Sequence, residues 1–377
     1  MTSHRSPFYA KLTAKITALG GMHNAHLHLD RAGTIDEKYI TVAQQSVLAT
    51  SHISLHQKHH LIYQLHAGPA YDDEDFRERI TYFLNEMIAN NTQRADTLVD
   101  VTADNLGLSA LHRMQDIKQQ YKDKISLNIA AYSPFGFKDS EPQRWELFAA
   151  GAAKSDFIAA LPEADDRDEY PDHIGFDEHL ARTLELAKSK RCMLHVHTDQ
   201  RNEDSESGTE RLVKVIKKQG ALSTANGEPL VWAVHMISPS TYDEKRFQDL
   251  LNGLLECNIG VICCPSAAIG MRQLRSLPSP TFNSIPRVLE LLEAGVHVRL
   301  ASDNIADICS PSTTANLIDE LFMLSAAIRY YDVDILAKLA VGQKLNSAER
   351  VAIREHLNNN NIEIAKVLAD RAQIYSR

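Results

Sequence analysis

Residues 24–29 read NAHLHL, a short apolar run with histidine at alternate positions, and runs of the same kind recur along the chain. They are TLVDVTA at 97–103, ISLNIAA at 125–131, DFIAAL at 156–161, CMLHVH at 192–197, LVWAVH at 230–235, IGVICC at 259–264 and HVRLAS at 297–302. Short apolar runs bounded by polar segments are what parallel strands buried on both faces require. Longer patterns with helical spacing separate them. Phe76, Ile80, Phe83, Leu84 and Met87 share one helical face. Ser207 with Glu210 has capping-box spacing ahead of Leu212, Val215 and Ile216. Ser284 is read as the N-cap of a helix through Leu292, which Gly295 terminates. Strands alternating with helices predict an α/β chain folded as a distorted (β/α)8 TIM barrel, with a doubly wound open sheet as the rival.

The barrel core is placed at about residues 20–330 of a single domain spanning 1–377, with extra C-terminal helices over 331–377. The segment 31–70 is far longer than the roughly two to six residues usual between a barrel strand and its helix. It is therefore expected to form a lid over the strands' C-terminal ends, where active sites of this fold lie.

Composition narrows the function classes. With 40 Lys+Arg against 49 Asp+Glu, the formal charge of −9 offers no attraction for nucleic acid or an anionic membrane. No run approaches the roughly 18 apolar residues of a membrane span, and Lys11, Lys15 and Pro7 interrupt the first segment where a signal core would lie. A cytoplasmic protein with a small-molecule substrate is expected, and a homo-oligomer is allowed. The five cysteines, Cys192, Cys257, Cys263, Cys264 and Cys309, form no CxxC pair and are expected to be reduced thiols.

The strand ends carry the chemistry. Alternation puts His26 and His28 on one side of the first strand, with Asn24 and Asp30. His197 closes the fifth run, His235 closes the sixth, and Asp303 follows the eighth. Three imidazoles and one carboxylate at a barrel mouth suit a zinc or iron(II) ion with one position left open for water. His235 is then placed to orient or deprotonate that water, and Asp303 both to ligate and to carry its proton to the leaving group.

The motifs HLHLD at 26–30, HVHTDQ at 195–200, VWAVHMIS at 231–238 and ASDNIADICSP at 301–311, in that order, resemble the amidohydrolase superfamily, and most of all its cytosine deaminase-like branch. The resemblance runs from about Asn24 to about Ala327. It implies that His26, His28, His197 and Asp303 hold one divalent metal ion, zinc favoured and iron(II) the alternative, with His235 as catalyst beside them. No lysine lies in the fourth run to form a bridging carbamate; Lys154 falls just before it and Lys138 well upstream. A mononuclear centre is therefore implied.

The chain departs from that branch at substrate-facing positions. Gln200 stands where a proton-shuttling glutamate is expected, and a carboxamide cannot exchange a proton usefully near neutral pH. Asn304 replaces an aspartate, the region of Pro134 replaces a pyrimidine-reading glutamine, and Cys309 stands near an expected tryptophan. These changes argue against cytosine itself. Only about two dozen residues precede His26, so the β-sandwich of many relatives is expected to be absent or minimal.

The function expected is hydrolysis of a non-peptide C–N bond in a small nitrogen-rich cyclic amide or amidine, by deamination or amide cleavage. The alternative is a catalytically silent metal- or ligand-binding homologue. His235, Asp303 and Gln200 are the catalytic candidates. Asn304, Asp199, Arg272 and Asn105 are the substrate-facing ones; Asp199 is a substitute proton donor on the face of His197, Arg272 with Arg275 an anion contact, and Asn105 has no specific role. His52, His56, His59, His60 and His66 are read as a solvated helical face, Glu163 to Tyr170 as a loop at the mouth, and His173 receives no role.

Overall fold

The computed structural model describes residues 6–40, 45–50, 52–53, 55–271 and 284–375. All eight expected strands form. They are β1 (Met22–Leu27), β2 (Thr92–Asp100), β3 (Ser126–Tyr132), β4 (Phe157–Ala160), β5 (Leu194–Thr198), β6 (Val231–His235), β7 (Ile259–Cys263) and β8 (Val298–Leu300). They lie in sequence order in one sheet, each pair parallel. The sheet closes just beyond β8, where Asp303 N–H donates to the His26 carbonyl at 3.0 Å and His28 N–H donates to the Asp303 carbonyl at 3.2 Å. Closure rules out the open sheet and gives the (β/α)8 barrel.

Two compact clusters combine strand residues with residues just beyond the strand ends, as side chains filling a barrel lumen do. One joins Ala25, Trp232, Val234, Ile262, Cys264, Ala267 and Ala301; the other joins Leu98, Ala130, Tyr132, Phe157, Ala159, Leu161 and Ala164. A much larger apolar layer links the outer faces of the strands to the helices. Near the β6–β8 side, the Arg299 guanidinium lies 3.9 Å from the Trp232 ring centre, and Gly260 leaves room for that ring.

β2 begins at Thr92, five residues before the expected start, because its first turns of strand carry polar side chains with a structural job. Asp96 is fully buried between His23 at 2.8 Å, Arg94 at 3.1 Å and the Asn128 amide at 2.6 Å. Burial alone would raise its pKa; the His23 and Arg94 charges reverse that and hold it well below the usual carboxylate range.

The helix Asp73–Ala89 buries Phe76, Ile80, Leu84 and Met87 as the periodicity predicts. Two expected caps are not made. Ser207 leads the helix Gly208–Gln219 without a side-chain cap, and Glu210 pairs with Arg246 instead of closing a box. The helix end is held from β5, since the Asp199 carboxylate accepts the Gly208 and Thr209 N–H groups. Ser284 does not begin its helix either: Val288–Ala294 starts after Arg287, and Ser284 bonds to Asn202 and Ser240. Gly295 ends that helix at φ +102°, as expected. The C-terminal helices Val333–Ala340 and Ser347–Tyr375 form, with the former packed on the leading helix Pro7–Ala18. Among the described residues no strand lies outside the barrel, so no β-sandwich is built there, and no helix is long and apolar enough to cross a membrane. All five cysteines are free thiols.

The segment after β1 folds back over the barrel through the helices Leu55–His60 and Ile62–Ala67. Arg79 pins its two ends together, donating to the carbonyls of Asp30, Ala32 and Ala70. The close approach at Gly260 is testable. A Cβ there would sit 2.4 Å from the Trp232 ring, so Gly260→Ala should lose about 1–3 kcal/mol of stability in chemical denaturation.

Candidate metal centre

β1, β5 and the turn after β8 deliver their polar side chains to one point. One ligand atom each from His26, His28, His197 and Asp303 can be chosen so that all four lie within 4.8 Å of one another. His26 Nε2 is 3.2 Å from His197 Nε2, and Asp303 Oδ1 is 3.4 Å from His28 Nε2 and 3.9 Å from His26 Nε2. The alternation expected for β1 holds only in part. The strand ends at Leu27 and turns through Leu29–Arg31, which carries Asp30 off toward Tyr71 and the Asp100 amide. Asn24 stays in the strand and ties β1 to Ser302 through two hydrogen bonds.

Each imidazole is oriented from behind. His197 Nδ1 lies 3.0 Å from the Ala160 carbonyl and so donates to it, leaving Nε2 as the ligating nitrogen. His26 Nδ1 shares a proton with His195 Nδ1 at 3.1 Å. Arg31 Nη2 donates to His28 Nδ1 at 2.6 Å, turning Nε2 of that ring toward Asp303. His195, Arg31 and Tyr132, whose ring packs on His28 and His197, had no role in the sequence reading. The spacing of His195, two residues before His197 on the same strand face, was the available signal.

Electrostatics favour a cation. Burial, then the neighbouring imidazoles, depresses the pKa of His26 well below 6.5; burial, then Arg31, does the same for His28, and burial takes His197 to about 4. The rings are thus neutral with lone pairs in hand. Burial and Asp307 raise Asp303 to about 7. Its Oδ1 is buried with no hydrogen-bond partner. A buried acceptor facing neutral nitrogens suits a divalent ion, which would supply the missing partner. His235 stands against this group, its ring centre 5.3 Å from that of His197; burial lowers its pKa too, and its Nδ1 has no partner. Asp199, His235 and Asp303, which leave three of the strands, all have positive φ, between 57° and 73°. Non-glycine residues held in that region store strain of the kind found at functional sites.

A cavity of about 60 Å³ opens beside the quartet, lined by His28, His197, His235, Asp303, Gln200 and Asn304 among others. The lid reaches it through Ile53, Lys58 and His59, and Lys58 Nζ donates to the Cys309 carbonyl at 3.4 Å. His59 is therefore part of the cavity wall. His66 also departs from the solvated face expected for the lid histidines, being buried between Asp100 at 3.1 Å and Asp104 at 2.6 Å. His52 and His60 are exposed, and the side chain of His56 lies outside the described residues.

Gln200 donates to Glu163 Oε2 at 2.8 Å, and burial, then the nearby Glu206 charge, pushes the Glu163 pKa well up. Asn304 lines the cavity while donating to Asp307 at 2.5 Å. Asp199 is not brought to the cavity. Positive φ breaks the strand alternation there and turns its carboxylate to the helix Gly208–Gln219. Asn105 is exposed in the turn after β2 and lines no part of the cavity. Arg272 and Arg275 lie outside the described residues. His173 supports the loop after β4, sharing Asp165 with His179.

A parallel barrel with a His/Asp quartet at its C-terminal mouth is the class this geometry defines. Comparison with solved structures shows the same fold. The 5-methylcytosine deaminase of Klebsiella pneumoniae, liganded with 5-fluorocytosine, matches with TM-score 0.71 at 23% identity over 85% of this chain and 72% of that one. The N-isopropylammelide isopropylaminohydrolase of Burkholderia multivorans matches with TM-score 0.64 at 17% identity over 85% and 72%. The atrazine chlorohydrolase of Arthrobacter aurescens, complexed with zinc, matches with TM-score 0.52 at 15% identity over 82% and 64%. All three share this chain's barrel, the fold the motifs implied. In sequence, an uncharacterized protein of Haemophilus influenzae is 28% identical over 294 residues, 78% of this chain and 98% of that protein. No family model matches the chain.

Two outcomes are expected. If the quartet holds a divalent metal, Asp303→Ala should lose it by elemental analysis, whereas Asp199→Ala should keep it and lose about 1 kcal/mol of stability through its uncapped helix. His66 is held at about 9 in the fold, against 6.5 for the free side chain, because Asp100 and Asp104 outweigh its burial. Its raised pKa makes its stabilisation complete below about pH 6.5 and lost as pH rises through about 9. The gap in unfolding free energy between wild type and His66→Gln should shrink over that window; a constant gap would contradict the assignment.

Proposed function

We propose that this protein is a metal-dependent hydrolase that cleaves a non-peptide C–N bond in a small nitrogen-rich heterocycle. The observation that carries the reading is the convergence of three neutral imidazoles on the unpartnered oxygen of Asp303. His26, His28, His197 and Asp303 would hold one divalent ion, which acts as a Lewis acid and lowers the pKa of a water toward 7. Zinc is favoured on this donor set and because a chlorohydrolase of the same fold is complexed with it. The deaminase and aminohydrolase of the same fold, by their names, act on pyrimidine- and triazine-type compounds.

The chain's own groups divide the work. In hydrolysis the water oxygen bonds to the ring or carbonyl carbon, the C–N bond breaks, and a proton from the water leaves with the nitrogen. His235, neutral and facing the quartet, is the group that orients the water and accepts from it. The Asp303 carboxylate, facing the same point, would take that proton on to the departing nitrogen. Gln200 and Asn304 present amides to the substrate's polar edge, each held by a carboxylate behind it. Arg31 fixes His28, and the lid residues Ile53, Lys58 and His59 restrict water at the mouth.

Metal chelation should abolish turnover in a screen of aminopyrimidines, aminotriazines, purines and cyclic amides, and added zinc should restore it. Ammonia release marks deamination, and a carboxylic acid with an amine marks amide cleavage. His235→Asn should lower kcat roughly 10²- to 10⁴-fold while bound zinc is unchanged. A protein that binds zinc and turns over none of these compounds would instead be a binding homologue.

A further inference from the structure

The metal-side cavity is small for a complete substrate. It measures about 60 Å³, against roughly 300–1,000 Å³ for sites that enclose a drug-sized ligand. A second chamber of about 620 Å³ adjoins it, and His59, Leu161, Gln200 and Met271 line both. Gln200 and Leu161 thus form a neck between an inner space at the quartet and an outer space well within the usual range.

The walls of the outer chamber say what it takes. Tyr63 from the lid lies flat on Phe135 after β3, ring centres 3.6 Å apart and planes 6° from parallel. Tyr63 is 44% exposed, so the pair forms a platform at the chamber rim. Across the loop after β4, Tyr170 stacks on His173 at 4.9 Å and 24°. The cations on the walls are already neutralised: Lys138 donates to Asp172 at 2.6 Å, Arg144 to Glu141 at 2.6 Å, and Arg201 to Glu169. With those three charges balanced, the stacked aromatic walls are the feature a flat uncharged ring exploits, through stacking and burial.

We infer that the substrate is a two-part molecule, whose C–N group enters the inner cavity while an uncharged planar aromatic body stacks in the outer chamber, with Tyr63 and Phe135 setting that specificity. This rests on the hydrolase reading for the inner cavity, but the outer chamber can be tested without turnover. A bare single-ring substrate would leave most of the enclosed space to water. The aromatic substituent instead replaces that water with ring contacts, which raises affinity for the extended molecule relative to its one-ring core.

Calorimetric titration of the zinc-loaded protein with melamine and with N-benzylmelamine tests this. N-benzylmelamine should bind at least tenfold more tightly. That ratio should fall at least fivefold in both Tyr63→Ala and Phe135→Ala and be retained in Tyr63→Phe, which keeps the ring. Equal affinities, no binding of either compound, or a ratio that survives both alanine variants would overturn the inference. Zinc content of the same preparations reports separately on the quartet: a protein without bound metal that still prefers N-benzylmelamine in a Tyr63- and Phe135-dependent way sinks the hydrolase reading and leaves the chamber standing.

Discussion

The backbone of Asp303, hydrogen-bonded to both His26 and His28, is the constraint on which the rest of the molecule depends. The two bonds join the chain after β8 to β1 and so complete the barrel. They also fix where the first and last of the site's side chains stand relative to each other. Closure and site assembly are therefore a single event: the residue that seals the sheet is the residue whose carboxylate faces the imidazoles. Asp303 holds a left-handed conformation there, unusual for a residue with a side chain.

Around that junction lies a layer of contacts whose role is orientation. Ala160 holds His197, His195 holds His26, and Arg31 holds His28. Burial keeps all three rings neutral while Asp303 is left with an oxygen unmatched by any donor. A buried carboxylate oxygen left in this way is costly unless something occupies the site, because no protein donor satisfies it. Toward the other end of the barrel the buried Asp96 carboxylate is matched by His23, Arg94 and Asn128. The contrast separates a network that serves stability from a group arranged for a ligand.

The strands and the five candidate positions at their ends were legible because both depend on local pattern. A parallel strand buried on two faces must be apolar over its length, and a site at the barrel mouth must use residues at strand ends. His26, His28, His197, His235 and Asp303 stood out for that reason. Reading failed where the partner came from elsewhere in the chain. Ser207 and Ser284 have the chemistry of caps, but Asp199 and a loop contact took their places. Asp199 itself was assigned by alternation to the face of His197, and a positive φ just past the end of the strand turns its carboxylate away. His66 was read as solvated because no acidic residue sits among the lid histidines; Asp100 and Asp104 reach it from β2 and the turn beyond.

The amino-acid sequence alone determined the eight strands, their alternation with helices and the identity of the residues at the strands' mouths, since burial on two faces and side-chain chemistry are properties of each segment by itself. Only the tertiary structure decided that the sheet closes, that the lid brings Lys58 and His59 to the cavity, and that a wide chamber lies beyond Gln200. Those depend on distances between segments tens to hundreds of residues apart, which the packing of helices and loops around the barrel sets and no local pattern encodes.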